Sequence, residues 1–269
     1  MRHIEDIKSL ITILQSSPKF HMLIISGAPG WGKTHTVCKT LSSIGKPFEL
    51  AGSYTTPLGL FNILKENPDS TIVLDDTIGL LENDIALSII KSATWSSDNN
   101  SRTIRWNSTS KLVEHHSIEF SGKLILITNR LPGTSHCHAI ASRSLVYEIE
   151  TDEEFVVNAF QNAIRSAEES PDFESKKMAA DFLCSLKRTH EISKFNLRTL
   201  ELATTYAASG IPNWQELLVR SLPRLCDDEV IAKLGSSNLP ITEQICAFQK
   251  LTGKSRRTFF YKRKQLLCR

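Results

Sequence analysis

The chain has 269 residues, a hydrophobic fraction of 41%, a charged fraction of 23% and a formal net charge of +3. This is the composition of a soluble globular protein with room for about two domains. No apolar run approaches the ~20 residues that span a membrane, and the six cysteines show no C-x-x-C spacing. These features argue against a membrane partner, a disulfide framework and a zinc ribbon, and they predict a cytoplasmic protein with reduced thiols.

The charge is unevenly distributed along the chain. The last 26 residues hold eight basic residues and no acidic one, whereas the first 243 hold 24 basic and 29 acidic residues, a net charge of −5. An acidic body with a basic tail predicts that the tail binds a polyanion such as DNA.

In chain order, residues 3–15 have the apolar spacing of an amphipathic helix. Residues 22–25 then form an apolar run that predicts a buried strand, and residues 35–42 predict a helix. Between them, residues 27–34 fit G-x-x-x-x-G-K-[ST], the phosphate-binding P-loop or Walker A motif, in the strand–loop–helix context that the motif requires. The predicted nucleotide-binding residues are Gly27, Ala28, Pro29, Gly30, Trp31, Gly32, Lys33, Thr34 and His35.

The chemistry of a nucleoside triphosphate explains this spacing. Glycines allow successive backbone N–H groups to point into one anion-binding nest, and the following helix adds the positive end of its dipole. Lys33 is predicted to place its ammonium on the β- and γ-phosphates, and the Thr34 hydroxyl is predicted to bind Mg²⁺. The cofactors expected are therefore ATP and Mg²⁺.

Residues 47–51 predict a second strand and residues 59–66 a helix. Residues 71–76, Thr-Ile-Val-Leu-Asp-Asp, form an apolar strand that ends in two carboxylates. As a Walker B element, Asp75 would hold Mg²⁺ through water and Asp76 would polarise the attacking water. Two solvated aspartates at a strand end are the alternative, but the position downstream of Lys33 favours the catalytic interpretation.

Residues 83–95 predict a helix, and residues 103–106 and 112–120 predict the two arms of a hairpin. The hairpin segment carries cations and an aromatic residue, which together can contact a nucleic-acid backbone and stack on bases. These residues are Arg102, Arg105, Trp106, Lys111, His115 and His116. An ordinary solvated hairpin is an equal alternative.

Residues 123–129 predict a strongly apolar strand, residues 139–144 a short helix and residues 145–149 a fifth strand. Strands that alternate with helices predict an α/β domain with a five-stranded parallel sheet flanked by helices. Ligands of such sheets bind at the carboxyl ends of the strands, where Thr34, Asp75, Asp76 and Asn129 are placed. The histidines and cysteine of residues 135–138 match no zinc spacing and are interpreted as loop residues.

Over residues 1–205 this pattern resembles the AAA+ ATPase family. The resemblance implies that Asn129 is the sensor 1 residue that orients the lytic water. It also implies that Arg143 is an arginine finger acting on the neighbouring subunit, and that Arg198 is the sensor 2 arginine of a helical lid. A finger supplied in trans implies a homo-oligomer, a ring or helix and often a hexamer. A surface arginine that pairs locally is the alternative for Arg143.

One position departs from the family pattern. Many members have Asp-Glu at Walker B, whereas this chain has Asp75-Asp76. The shorter carboxylate lies further from the γ-phosphate, so hydrolysis is expected to be slower or the water to be held differently. The catalytic residues predicted are Lys33, Asp76, Asn129 and Arg143.

The second half is predicted to be helical, over residues 153–167, 171–186, 197–208, 213–222, 228–234, 242–251 and 256–267. The predicted domains are an α/β domain (1–150), a helical lid (151–210) and a C-terminal helical domain (211–269). The last two helices and their glycine-containing turn resemble the helix-turn-helix of DNA-binding proteins from mobile elements and phages. The predicted DNA contacts are Arg256, Arg257, Lys262, Arg263 and Lys264, with Phe259, Phe260 and Leu266 packing inward. A basic tail paired with the acidic body is the alternative.

The sequence therefore predicts an ATPase that remodels DNA as a helicase, helicase loader, initiator or transposition helper. A protein-remodelling ATPase is one alternative, although no clear aromatic-hydrophobic pore loop is present. A DNA-binding switch with little turnover is another, and a small-molecule kinase is disfavoured because it would not need Asn129, Arg143 or the basic tail.

Overall fold

The structure, a computed structural model, divides into two compact units, Met1–Thr151 and Asp152–Arg269. The residues it describes are 2–52, 54–95, 102–106, 117–186, 190–222, 227–235, 237 and 239–267. Lys111, His115 and His116 of the predicted hairpin lie outside these ranges. The predicted three-domain division at residues 150 and 210 stays a prediction.

The first unit alternates strands and helices as the sequence predicts. Its strands are β1 (Met22–Gly27), β2 (Phe48–Gly52), β3 (Thr71–Asp75), β4 (Arg102–Arg105), β5 (Ser117–Phe120), β6 (Lys123–Thr128) and β7 (Leu145–Ile149). Its helices are α1 (Arg2–Ser16), α2 (Lys33–Ser43), α3 (Pro57–Glu66), α4 (Ile78–Leu81), α5 (Asp84–Thr94) and α6 (Ser135–Ala141).

Five of the strands form one parallel sheet, which confirms the predicted fold class. The strand order is β2-β3-β6-β1-β7, while β4 and β5 form a separate antiparallel pair. The chain leaves β1 for the far edge at β2, returns through β3 and β6, and ends on the other side of β1 at β7. The carboxyl end of β1 therefore lies where the direction of the connections reverses, the position at which open α/β sheets bind ligands.

The core explains why the central strands read as continuous apolar runs. Every residue of β1 and of β6 is buried, as expected for parallel strands covered on both faces. Met22 and Ile24 pack in one cluster with Leu60 of α3 and Ile90 of α5. The alternate residues of β1 face the other side of the sheet, where α1 contacts β1 and β7.

Helix α6 begins earlier than predicted. The sequence predicted a helix over residues 139–144, whereas α6 spans Ser135–Ala141. The Thr134 hydroxyl accepts a hydrogen bond from the Cys137 backbone N–H at 3.3 Å and so caps the helix before the histidine-containing segment. Residues 135–138 were predicted to be a loop, and that prediction is wrong.

The second unit consists of helices joined by turns and irregular segments, with no strand among its described residues. Its helices are α7 (Glu153–Arg165), α8 (Phe173–Ser185), a 3-10 turn (Ile192–Lys194), α9 (Leu197–Ala208), α10 (Trp214–Ser221), α11 (Asp227–Gly235), α12 (Ile241–Thr252) and α13 (Arg256–Leu267). Asn196 and Thr199 form a capping box at the start of α9. Among the described residues, no helix has the length and hydropathy required to cross a membrane.

The last three helices share a small core of their own. Val230 and Ile231 of α11 pack with Ile245 and Phe248 of α12 and with Phe259 of α13. Gly253 ends α12 in a left-handed conformation (φ 69°), which glycine adopts without a steric penalty. The Ser255 hydroxyl then accepts a hydrogen bond from the Thr258 N–H at 3.3 Å, so it caps α13 as predicted.

Candidate nucleotide-binding site

The candidate site lies at the carboxyl edge of three adjacent strands. Lys33 and Thr34 open α2 directly after the loop that follows β1, Asp75 ends β3, and Asn129 follows β6. Because β3, β6 and β1 are neighbours in the sheet, the polar residues that end each strand converge on one place.

Glycine is required at the start of the loop. Gly27 has φ 139°, and a β-carbon there would lie 2.8 Å from the carbonyl oxygen of Ile149 on β7. Gly30 and Gly32 also have positive φ, at 83° and 73°. Left-handed glycines in a short loop turn backbone N–H groups into one concavity, which is the geometry of an anion nest.

Lys33 lies within this loop. Its ammonium donates hydrogen bonds to the carbonyl oxygens of Gly27 at 2.6 Å and Ala28 at 2.9 Å. It also lies 3.5 Å from the Oδ1 atom of Asn129. The Lys33 residue is only 7% exposed. Its ammonium is therefore held inside the loop by these contacts and is poorly screened by solvent.

The predicted magnesium ligands are in direct contact. The Thr34 hydroxyl donates a hydrogen bond to Asp75 Oδ2 at 2.9 Å. A hydroxyl and a carboxylate oxygen are hard ligands of the kind that Mg²⁺ prefers. The pair could therefore hold the ion between the loop and β3, with the remaining ligands supplied by phosphate and water.

Asp76 adopts a conformation that sets it apart from Asp75. It has φ 54°, the left-handed region that aspartate tolerates better than most residues. Its backbone N–H donates to the Ile127 carbonyl at 3.2 Å, and its Oδ1 atom lies 3.5 Å from Asn129 Nδ2. Asn129 thus lies between Lys33 and Asp76, and its amide can position a water molecule between the two charges.

Trp31 contributes differently from its neighbours in the loop. Its side chain is buried (1% exposed) and packs edge-to-face on His3 of α1, with ring centroids 6.3 Å apart. Burial lowers the pKa of His3, and a hydrogen bond to the Trp31 backbone opposes that shift. Only the Trp31 backbone therefore remains for phosphate binding, and the indole anchors the loop to α1.

His3 is a residue that sequence reasoning missed, because a single histidine in an amphipathic helix gives no signal of its contact with the loop. Cys38, one helical turn after Thr34, is another. Burial, and then the charge of Asp75, raise the pKa of the Cys38 thiol, so this cysteine stays protonated beside the site.

Three other predicted site residues, Arg143, Arg198 and His35, are exposed. Arg143 lies at the other edge of the sheet, and Arg198 lies in the second unit. Arg143 is exposed and lies two residues before the start of β7. Leu145 pairs with Leu23 and Ile149 with Gly27, so Arg143 lies at the amino edge of the sheet, opposite the loop. Arg198 is exposed on α9 of the second unit. His35 is exposed on α2.

The β4–β5 pair differs from the cationic surface that was predicted. Arg105 is exposed, but Arg102 is only 2% exposed and donates to the Gly122 carbonyl. Trp106 packs on Phe61, with ring centroids 5.7 Å apart. Of the two interpretations of this segment, contact with a nucleic acid is therefore wrong for Arg102, whose side chain is buried, and Trp106 is partly buried against the core of the first unit.

The basic C-terminal residues fall into two groups. Lys262 pairs with Asp228 at 2.8 Å and with Asp227 at 3.5 Å. Arg263 lies over the Phe259 ring at 5.9 Å. Arg256, Arg257 and Lys264 are exposed. Phe260 is 43% exposed, so the prediction that it packs inward is wrong.

No group of three or more histidine, cysteine, aspartate or glutamate residues is placed to hold a metal ion within the described ranges. His136 of α6 instead lies with its Nδ1 atom 2.8 Å from the Lys91 ammonium.

Comparisons with known proteins give distant matches. No protein-family model matches the chain. An uncharacterized 36.7 kDa protein from the nrdC-mobD intergenic region of Enterobacteria phage T4 is 27% identical over 221 residues, which cover 72% of this chain and 66% of that protein. The chain thus spans just under two thirds of the length of this relative.

Among solved structures, the Thermotoga maritima RuvB Holliday junction branch migration motor matches with a TM-score of 0.48 and 12% identity over 97% of this chain and 87% of that one. Domain III of the Thermotoga maritima replication initiation protein DnaA matches with a TM-score of 0.43 and 15% identity, over 92% and 91% of the chains. The Aeropyrum pernix ORC1 protein in complex with DNA matches with a TM-score of 0.46 and 14% identity, over 98% and 82%. Such distant likeness leaves the chemistry to be argued from the residues of this chain.

Proposed function

We infer that the chain is a DNA-remodelling ATPase of the AAA+ type, acting as a helicase, helicase loader, initiator or transposition helper. The observation that carries this proposal is the convergence of Lys33, Thr34, Asp75, Asp76 and Asn129 at one edge of the sheet. A glycine-rich loop, a buried ammonium, a hydroxyl–carboxylate pair and a second carboxylate together suit ATP hydrolysis.

Each residue has a separate role in this mechanism. Lys33 exchanges its bonds to the Gly27 and Ala28 carbonyls for the phosphate oxygens of ATP. Thr34 and Asp75 would hold Mg²⁺, and the ion would supply positive charge to neutralise the phosphates. Asp76 accepts the proton of the attacking water, and Asn129 orients that water. Phosphoryl transfer depends mostly on such positioning and charge stabilisation.

Arg143 is proposed to complete the site of a neighbouring subunit. The four residue steps of β7 between Leu145 and Ile149 span ~13 Å, which separates Arg143 from the loop of its own chain. Its exposure leaves it available to a second copy. Hydrolysis would then require a homo-oligomer, such as a hexameric ring. We propose in addition that residues 151–210 form a lid that brings Arg198 to the nucleotide.

DNA binding is proposed for the C-terminal domain, residues 211–269, with Arg105 of β4 as a further contact. Of the predicted C-terminal contacts, Arg256, Arg257 and Lys264 are exposed on α13, whereas Lys262 is paired with acidic residues of the same unit. The helix-turn-helix interpretation therefore rests on the exposed group.

The proposal is tested by steady-state ATP hydrolysis as a function of protein concentration, with and without DNA. Specific activity that rises with concentration and with DNA supports a shared-site motor. Lys33→Ala should abolish ATP binding, whereas Arg143→Ala should preserve binding and abolish turnover. Mixing Arg143→Ala with Lys33→Ala subunits should restore part of the turnover, because an intact loop can then meet an intact arginine. Flat, DNA-independent activity would refute the proposal.

Two alternatives have an observation in their favour. Tyr54, in the loop after β2, is 86% exposed, and such an aromatic residue could grip a polypeptide in a protein-remodelling ATPase. The short side chain of Asp76 favours a switch that binds ATP and scarcely hydrolyses it. Turnover stimulated by unfolded protein, or tight ATP binding without turnover, would identify the first or the second.

A further inference from the structure

Helix α13 has two chemically different sides. On one side, Phe259 is buried and Leu266 packs against the cluster with α11 and α12. On the other side, besides the exposed Gln265, lie five exposed residues at positions that follow the helical repeat of three to four. They are Arg256, Arg257, Phe260, Tyr261 and Lys264, and we call this surface the α13 outer face.

The outer face carries cations and aromatic rings and has no acidic residue. At 100° per residue its five members span 140° of the helix, and the inward residues Phe259 and Leu266 lie on the opposite side. Because α13 itself contains no aspartate or glutamate, its three exposed cations have no carboxylate partner on their own helix. The face is therefore complementary to a polyanion.

The two aromatic residues distinguish this face from a surface that contacts phosphates alone. Phe260 is 43% exposed and Tyr261 is 64% exposed, although both could gain stability by burial. Phe260 is held in place, since its ring packs edge-to-face on Phe259 at 5.5 Å and the Arg256 guanidinium lies 5.7 Å from its centroid. The helix thus presents an oriented ring to solvent.

Lys262 illustrates the contrast with the inward side. Its ammonium pairs with Asp228 at 2.8 Å and Asp227 at 3.5 Å, and Lys254 pairs with Asp227 at 2.5 Å. These contacts lower the pKa of Asp227 and raise that of Lys262. Lys254, in the turn before α13, and Lys262, within α13, therefore tie this part of the chain to α11 and orient the outer face.

We propose that the α13 outer face binds single-stranded DNA, with unpaired bases stacked on Phe260 and Tyr261 and with Arg256, Arg257 and Lys264 on the phosphates. This inference rests on the proposed DNA-associated function and names the form of DNA that this surface takes. In a duplex, base faces are covered by neighbouring bases and only base edges are open in the grooves. Aromatic rings gain most from bases that are already unstacked, and stacking of this kind tolerates any sequence.

The test measures the binding of the full-length protein to a labelled 20-nucleotide oligo(dT) and to a labelled hairpin duplex by fluorescence anisotropy. The double variant Phe260→Leu, Tyr261→Leu keeps apolar side chains but removes the rings. Its affinity for oligo(dT) should fall about tenfold or more, since each stacked base is worth at least severalfold in affinity. Its affinity for the duplex should stay within about threefold of the wild type.

Lys262→Ala and Lys264→Ala form a matched pair of charge deletions two residues apart on opposite sides of α13. Lys264→Ala should reduce the salt dependence of oligo(dT) binding by about 0.7 in the log–log slope, and Lys262→Ala should leave that slope unchanged. If the Phe260→Leu, Tyr261→Leu double variant unfolds, Tyr261→Ala alone provides the same comparison, because Tyr261 is more exposed than Phe260.

The outcomes separate this inference from the proposed function. Equal losses for oligo(dT) and duplex, or no loss for either, would overturn the stacking role while the wild-type ATPase and duplex binding continue to support the proposed function. A wild-type protein that hydrolyses ATP but binds neither form of DNA would overturn both the DNA association and the inference. A selective loss of oligo(dT) binding supports the inference.

Discussion

Asp76→Asn is the substitution that isolates the proposed general base. Asparagine tolerates the left-handed conformation (φ 54°), and its side-chain oxygen can still accept the long contact from Asn129 Nδ2 at 3.5 Å. The free energy of unfolding should therefore change by no more than about 0.5 kcal/mol. What is lost is the basicity of one oxygen.

A general base contributes about 10²- to 10⁴-fold to a rate, which corresponds to ~3–5.5 kcal/mol of transition-state stabilisation. The rate of ATP hydrolysis by Asp76→Asn, measured as phosphate produced, should fall by that factor. The affinity for ATP and Mg²⁺, measured by calorimetry, should stay close to that of the wild type. Asp75→Asn should instead weaken the binding of Mg²⁺, because it removes the carboxylate that lies beside the Thr34 hydroxyl. Glu82→Gln removes an exposed carboxylate outside the site and serves as the control. Wild-type turnover by Asp76→Asn would show that Asp76 is not the base.

Three further predictions concern stability. Gly27→Ala should destabilise the protein by ~2 kcal/mol or more, because a β-carbon there would lie 2.8 Å from a carbonyl oxygen of β7. Gly45→Ala is the control, since Gly45 also has a positive φ but open space around it. It should lower the free energy of unfolding by less, as measured by urea titration. Tyr147→Phe should lower stability by ~1 kcal/mol, because the phenol donates to Asp6 at 2.9 Å. Burial, and then this contact, raise the pKa of Tyr147 to about 12. Burial, and then two nearby cations, lower the pKa of His21 to about 4. Below pH 6.5, His21 therefore becomes protonated in the unfolded chain but stays neutral in the folded chain. The free energy of unfolding should therefore fall by up to ~3 kcal/mol between pH 6.5 and 4, and His21→Asn should flatten that part of the profile.

The sheet could be predicted because its strands carry their signal locally. β1, β3 and β6 are mostly apolar, and each predicted strand of the parallel sheet lies within two residues of its observed bounds. The P-loop signal was also local, since its glycines and Lys33 all lie within residues 27–33. The meeting of Asn129 with Lys33 and Asp76 was expected from the rule that strand ends share an edge, although the left-handed conformation of Asp76 has no signature in the sequence.

Positions that depend on a distant partner could not be predicted in the same way. Arg102 reads as a surface cation until Gly122 and Phe120 are known to surround it. Trp106 reads as an exposed aromatic until its packing on Phe61 is known. Composition gives the number of charges and rings in a segment, but not which of them the tertiary structure removes from solvent.

The C-terminal segment shows how much this distinction matters for binding. Its eight basic residues would give a slope of about −6 for log affinity against log salt on a single strand if all released counterions. Lys254 and Lys262 are already paired with Asp227 and Asp228, and the outer face retains Arg256, Arg257 and Lys264. Three phosphate contacts give a slope of about −2. A measured slope near −2 would place binding on that face. A slope of about −3.5 would mean that Asp227 and Asp228 release Lys254 and Lys262 when DNA binds, because these two cations would raise the number of phosphate contacts from three to five.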